Sequence, residues 1–292
     1  MLIWLLWLLL ALSLLAAAVL GVSAYGTRRW ADTAAGLRGT LEATQFDDAN
    51  HSPAIARVHF RELQGLPAPV QRYFRAALTE GQPIISALTV ELAGTFNLSH
   101  TSERWKRFTS RQTIVARRPG FLWDAEIALL PGLAIRVLDA YIGGQGMLHA
   151  AVLGLFQVAD IHGDGEIARG ELFRFFAEAA WYPTALLPSQ GVRWDAFDDH
   201  SAYATLVDGP LTLTLLFRFN DAGLIDSFRA EARGAMVGRT MVMIPWEGRW
   251  SDYRTRNGMT VPNVGEVEWL WPEGRRSYFR GTVTSMRFEF LP

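Results

Sequence analysis

Apolar and polar positions are spread very unevenly along this chain. Met1 to Ala24 carries no charged side chain, and the first charges after it are Arg28 and Arg29. As a helix this segment spans ~36 Å at ~1.5 Å per residue, enough to cross a hydrocarbon core of ~30 Å. It is apolar all round rather than along one stripe, which separates it from an ordinary core helix. Val22-Ser23-Ala24 suits a signal-cleavage site, yet no basic residue precedes the run and the run is longer than a signal core. An uncleaved, single-pass anchor over residues 1–25 is therefore the better reading, placing the protein at a cell membrane with the lipid bilayer as a partner. The basic flank of Arg28, Arg29 and Arg38 points the body toward the cytoplasm. Exported proteins keep similar anchors with the opposite topology, so the side of the membrane stays open.

Residues 26–53 read as a polar linker containing Asp47, Asp48, Asn50 and the breaker Pro53. Two short helical patterns follow, Ile55 to Leu63 and Pro67 to Leu78, the second with Val70, Phe74 and Ala77 on one stripe. At Ile84 the period changes to two. Ile84, Ser86, Leu88, Val90 and Leu92 fall on one face, with Thr89, Glu91 and Thr95 on the other. Comparable runs start at Phe108, Phe121, Ile135, Leu211, Leu224, Trp246, Met259 and Ser277, separated by turn-forming residues such as Arg117-Arg118-Pro119-Gly120. Asn257-Gly258 is the strongest hairpin signal among them. His149 to Ala159 fits helix or strand, while Glu166 to Trp181 is helical, with Leu172, Phe175, Phe176 and Ala179 three and four apart. About nine or ten strands joined by tight turns make an antiparallel meander, and a sheet of that length curls. The fold class that follows is α+β, mainly β. It comprises an N-terminal transmembrane helix and one half-barrel-like domain over residues 54–292, with helices near 55–78 and 166–181. The second helix fills the concave face.

Composition then excludes several chemistries. The sequence has 292 residues and no cysteine, which removes disulfides, thiolate catalysis and cysteine-bound metals. A net charge of −1 gives no global field that would draw the protein to nucleic acid or to anionic lipid. Of the 28 basic residues only Lys106 is lysine, so Schiff-base chemistry would rest on a single side chain.

Two constellations could carry chemistry. Asp160, Asp164 and Glu171 stand at positions 1, 5 and 12 of a calcium-loop pattern, with Gly165 at 6 and Ile167 at 8, although position 3 is His162. The competing reading is a polar turn with Asp164 capping the helix and Glu171, Arg174 and Glu178 sharing its solvated face. No other cofactor is expected. The second constellation is aromatic: Trp123, Trp181, Tyr182, Trp246 and Trp250, with His149 in an apolar run, could line a cavity on the inner face of the curled sheet. The alternative is that these aromatics are core. Strand parity puts Trp246 and Trp250 on one face and Glu247 and Arg249 on the other, where the charged pair reads as a surface ion pair. Asn97-Leu-Ser99 fits a glycosylation sequon, relevant only in a eukaryotic secretory route.

The segments Leu66-Pro-Ala-Pro-Val-Gln-Arg-Tyr-Phe74, Trp181-Tyr-Pro-Thr-Ala-Leu-Leu-Pro-Ser189, Gly191-Val-Arg-Trp194 and Pro245-Trp-Glu-Gly-Arg-Trp250 resemble an uncharacterised bacterial family of membrane-anchored proteins, a domain of unknown function. The resemblance spans most of residues 60–290 and implies no activity and no catalytic residues. In architecture the chain also resembles the lipoprotein-carrier half-barrels, an analogy that does not transfer function. Three readings follow. The leading one is binding of an apolar ligand such as a lipid or acyl chain. The second is a hydrolase or isomerase using a carboxylate with His149 in the same cavity. The third is an assembly module without a pocket.

Overall fold

The computed structural model describes residues 2–44, 57–99, 102–238 and 240–291. Helix α1 runs unbroken over Leu2–Ala43. A single 3₁₀ turn, Phe60–Leu63, precedes α2 at Ala68–Ala77. Six strands follow: β1 Ile85–Asn97, β2 Trp105–Val115, β3 Gly120–Leu130, β4 Leu133–Ile142, β5 Gln145–Val152 and β6 Phe156–Gly163. Helix α3 spans Glu166–Glu178 and runs into three 3₁₀ turns between Ala179 and Gln190. Seven more strands complete the chain: β7 Arg193–Asp198, β8 Ser201–Asp208, β9 Leu211–Phe219, β10 Ile225–Val237, β11 Thr240–Arg256, β12 Met259–Trp271 and β13 Gly274–Phe290.

All thirteen strands form one sheet in the order β6-β5-β4-β3-β2-β1-β13-β12-β11-β10-β9-β8-β7. Every sequential pair except β6 and β7 is hydrogen-bonded antiparallel, and the one non-sequential pair is β1 with β13. The two edges are β6 and β7, and α3 is the connection that carries the chain from one edge to the other. It does so through the concave side, touching β4, β5 and β6 as well as β9 and β10. The sheet is therefore an unclosed half-barrel wrapped around α3, as the strand periodicity predicts. At the β11–β12 turn Asn257 and Gly258 have φ of 48° and 78°, the left-handed pair that a tight two-residue hairpin requires.

Four differences from the sequence reading have identifiable causes. The strands missing from a count of nine or ten are β5 to β8; the ambiguous run from His149 to Ala159 forms the second half of β5, a turn and the first half of β6, because β5 pairs with β4 on one side and with β6 on the other. Residues 26–43 are helix rather than linker. In that stretch Gly26, Trp30, Ala34 and Leu41 recur near multiples of four and are buried against the convex face of the sheet. Of the segment from Ile55 to Leu63, only the single turn at Phe60–Leu63 is helical, and residues 55 and 56, like the linker from residue 45 to 53, lie outside the described residues. The core also has two faces. The concave cluster packs the sheet on α3, and a smaller convex one packs Trp30, Ala34 and Leu41 on Val115, Leu122, Leu138, Ala140 and Ala151.

Candidate functional site

Trp123, Trp181, Tyr182, Trp246 and Trp250 do meet on the concave side, all in one buried cluster. Trp181 stands edge-on to Trp250 at 5.0 Å, and Phe228 fills the space beside Trp246 at 4.8 Å. Tyr182 donates its hydroxyl to the Phe175 carbonyl of α3. Neither of the two cavities described below has any of these side chains in its wall. His149 is separated from them by the sheet itself. It occupies a convex-face position on β5, where its ring stacks on Trp30 of α1 at 5.3 Å and its Nδ1 lies 3.3 Å from Asp160. A carboxylate–histidine pair thus exists, but not in the aromatic cluster, so the expected hydrolase constellation is not assembled.

The calcium-loop carboxylates are not brought together either. Asp160 and His162 belong to β6, which stays paired with β5 as far as Gly163, so the segment is strand where a loop would be needed. Asp164 is exposed and makes no cap, and the N-cap of α3 is Gly165. Glu171 is buried and points into the protein. Among the described residues no three His, Asp or Glu side chains are placed to hold a metal ion.

Glu171, Arg174 and Glu178 share one stripe of α3, as their spacing predicts, but that stripe faces the sheet rather than solvent. Arg174 donates to Asp139 of β4 at 2.6 Å, to Glu178 at 2.8 Å and to Gln112 of β2 at 3.1 Å. Its guanidinium also lies over the rings of Trp123 at 4.7 Å and Phe121 at 4.9 Å. Arg233 of β10 donates to the Gly170 carbonyl at 3.0 Å, sits 4.0 Å from Glu171, and covers Trp246 at 4.4 Å. Three carboxylates therefore face two guanidiniums. Burial pushes the Asp139 carboxyl up and the Glu171 carboxyl well up, the latter reinforced by the charge of Asp139 and opposed by Arg233 and Arg174. Asp139 Oδ1 and Glu171 Oε2 have no hydrogen-bond partner. Of these carboxyls, burial and the charge of Asp139 push Glu171 furthest up, so it is the one expected to take up a proton.

A pH dependence follows. For an acid whose folded-state pKa is raised, the folded chain binds the proton more tightly than the unfolded one. Its stabilising contribution is complete below the ordinary carboxylate range and is lost as pH rises through the raised value. Urea unfolding is expected to show stability declining from the ordinary carboxylate range toward alkaline pH, and Glu171→Gln is expected to flatten that decline. An unchanged profile in the variant would place the proton elsewhere.

Glu247 and Arg249 lie on the convex face, as parity predicts, yet the carboxylate is 3% exposed beneath Arg275, Arg249 and Arg218 at 2.8, 3.7 and 3.9 Å. That network stiffens the outer face and lines neither cavity.

The open site lies where α1 meets the sheet. Gly26 allows the approach: a Cβ there would stand 2.1 Å from the Leu153 carbonyl oxygen in the β5–β6 turn. Next along the helix, Trp30 donates its indole N–H to Asp124 at 3.0 Å, and Arg136 reaches Thr27 at 3.4 Å. Between helix and sheet a groove of 610 Å³ opens. Ser23 and Thr27 form one wall, and Leu129, Leu130, Leu133 and Leu153 contribute an apolar floor. Lys106, Arg107 and Arg136 line it against the single acid Glu126. Lys106 is held by the Leu129 carbonyl at 3.0 Å, and Arg136 lies 3.3 Å from Glu126. A second depression of 430 Å³ continues along the convex face and shares Glu126 and Arg136. Sequence reasoning missed this site because its residues come from α1, three strands and two turns. The available signal was the buried stripe from Gly26 to Leu41, which shows that the helix continues and must pack on something.

Residues 64–288 match a family described as "Family of unknown function (DUF6920)". The chain belongs to that family. No curated protein matches it. Among solved structures, a LolA superfamily protein from Nitrosomonas europaea is 12% identical, covering 77% of this chain and 94% of its own at a TM-score of 0.40. A putative outer membrane lipoprotein-sorting protein domain from Vibrio parahaemolyticus is 8% identical, with coverages of 79% and 92% and a TM-score of 0.37. A beta-barrel-like protein of a second domain of unknown function, DUF1849, from Brucella abortus is 11% identical, with coverages of 70% and 99% and a TM-score of 0.23. Each is a distant likeness of architecture.

The DUF6920 match begins ahead of α2 and ends inside β13, so it contains the whole buried charge cluster and the sheet side of the groove. It contains the four segments that carried the family resemblance. Helix α1 precedes it. In this DUF6920 chain the groove is thus a joint between the family domain and its apolar helix.

Proposed function

We propose that this protein holds an acyl-chain lipid with an anionic headgroup at a membrane surface, in the groove between α1 and the sheet. The observation that carries the reading is the composition of that groove at that height along α1. Among the described residues, α1 is the one helix long and apolar enough to cross a membrane. Its first charge is Arg28, so Ser23 and Thr27 come to headgroup level when the apolar part before them lies in the bilayer. There the groove offers Lys106, Arg107 and Arg136 to a headgroup phosphate and leucines to the first methylenes of a chain. The concave aromatics support the same reading, being buried against one another and lining neither of the two cavities.

Native mass spectrometry of the full chain, extracted gently from membranes, tests this. Wild type is expected to retain a lipid enriched in anionic headgroups, and Arg107→Glu/Arg136→Glu to lose it while melting like the parent. A wild-type protein that never carries lipid, or a charge-reversed one that retains it equally, would overturn the proposal.

A further inference from the structure

In an antiparallel meander the turns alternate between two rims, and here the rims differ in character. One carries the turns β2–β3, β4–β5, β7–β8, β9–β10 and β11–β12, and among its large apolar side chains Phe197 stands exposed, set against the ring of Tyr203. It is covered by α2, which reaches it through Arg72 to the Asp199 carbonyl at 2.5 Å and is followed by Thr79, which donates to the Gly258 carbonyl at 3.2 Å.

The other rim carries the turns β1–β2, β3–β4, β5–β6, β8–β9, β10–β11 and β12–β13. Large apolar side chains stand exposed along it: Leu130 at 65%, Phe156 at 62%, Val207 at 59% and Met243 at 47%. The β10–β11 hairpin is its most prominent part. Strand β10 pairs with β9 only as far as Arg229, and β11 pairs with β12 only from Trp246. Beyond those points Gly234–Val237 and Thr240–Met243 pair with each other alone, as an overhanging two-stranded ribbon. Met241, Val242 and Met243 are consecutive and all exposed, so the ribbon is apolar on both of its faces. The ribbon touches the body through Ala235, which is buried in the concave cluster, and the exposed Met241, Val242 and Met243 beside it mark a contact.

The position of α1 identifies what makes that contact. The helix enters the body at this rim, with Gly26 against the Leu153 carbonyl, and its buried stripe then runs toward the opposite rim, where Leu41 meets Gly120. The uncharged segment Leu2 to Ala24 consequently projects from this rim. Trp105 and Trp271 mark the same level, each under an arginine, Arg280 at 4.6 Å and Arg276 at 5.9 Å. Half-buried tryptophans beside cations are the residues of a lipid–water interface.

We infer that the rim formed by these turns lies on the bilayer, with Met241, Val242 and Met243 of the β10–β11 hairpin inserted among the lipids as a second attachment. The occupant of the apolar surface is lipid, because the span read in α1 brings a bilayer to that rim and to no other part of the body. The inference rests on that membrane reading and is independent of whether the groove holds a ligand. Along the sheet the hairpin lies seven strand positions from β4, where α1 crosses. At ~4.8 Å per strand this is on the order of 34 Å, so the two attachments hold the half-barrel upright and stop it from pivoting on its helix.

The absence of cysteine makes the test direct. Single-cysteine variants Val242→Cys, Phe156→Cys, Asn257→Cys and Leu12→Cys of the full chain are labelled with an environment-sensitive fluorophore and reconstituted in phosphatidylcholine–phosphatidylglycerol vesicles, with and without spin-labelled acyl chains. Labels at Val242 and Phe156 are expected to shift to the blue and to be quenched roughly twice as strongly as at Asn257, as befits insertion ~5–10 Å into the headgroup–acyl boundary. A Val242 label as weakly quenched as the one at Asn257, with Leu12 strongly quenched, overturns the inference and leaves the membrane span standing. Weak quenching at both Leu12 and Val242 overturns the span and the inference together. A blue shift at Val242 without lipid quenching would mean that a second copy or another protein covers the hairpin, which also overturns it. Arg107→Glu/Arg136→Glu is expected to leave the Val242 quenching unchanged, which separates this surface from the groove.

Discussion

Replacing Arg174 with alanine is expected to destabilise the body by about 3–5 kcal/mol, the scale for removing one partner from a buried ion cluster. The side chain holds Asp139 at 2.6 Å and Glu178 at 2.8 Å, and both carboxylates would lose their direct cation partner, leaving Arg233 alone to balance the buried cluster. The loss is also topological. Helix α3 is the crossing between the two sheet edges, and Arg174 joins its midpoint to β2 and β4 while Arg233 joins its start to β10. At ~2–4 °C per kcal/mol for a body of this size, the melting temperature falls by on the order of 10 °C. Thermal and urea unfolding would measure it, and a cost under ~1 kcal/mol would show the cluster to be hydrated, contrary to its burial. A companion variant isolates the cause: Asp139→Leu/Arg174→Met/Glu178→Met removes all three charges and is expected to recover most of the loss, since well-packed apolar groups substitute for buried ion pairs at little cost.

Trp181→Ala is expected to cost a further independent ~3–5 kcal/mol, the usual scale for deleting a fully buried large aromatic. The indole is 2% exposed, and its N–H has no partner, so the whole effect is lost packing against Trp250 and its neighbours. This magnitude decides between two roles. A side chain that fills the interior leaves a dry cavity on truncation, whereas one lining an existing void loses far less. Xenon or benzene uptake by the variant, and none by the parent, would accompany the filling role. A cost near ~1 kcal/mol with uptake already present in the wild type would instead restore the aromatic cluster as a ligand cavity.

Much of the architecture was legible because it is local. The alternation at Ile84–Leu92, the hairpin at Asn257-Gly258 and the apolar spacing in Glu166–Trp181 each express a backbone period or a turn conformation carried by neighbouring residues. Parity alone placed Trp246 and Trp250 together and Glu247 with Arg249 opposite. It did not say which face was inside. Because α1 lies on the convex face, both faces of β3–β5 are covered, and alternation loses its meaning there; His149 was assigned to the wrong side for that reason. The stripe Glu171, Arg174 and Glu178 failed differently. A charged stripe normally faces water, and only the arrival of Asp139, Gln112 and Arg233 from distant strands makes its burial tolerable.

The calcium-loop pattern shows the same limit. Its spacing was present, but ligands converge only if the backbone forms a loop, and pairing with β5 extends the segment as a strand. By itself, then, the sequence determined the apolar helix, the antiparallel meander, the inserted helix and individual turns such as Asn257-Gly258, since each depends on residues close together in the chain. The tertiary structure decided which aromatics fill space, which charges are desolvated, where the groove opens and which rim α1 leaves from. Those depend on what distant segments cover, and burial is a property of the covering rather than of the residue covered.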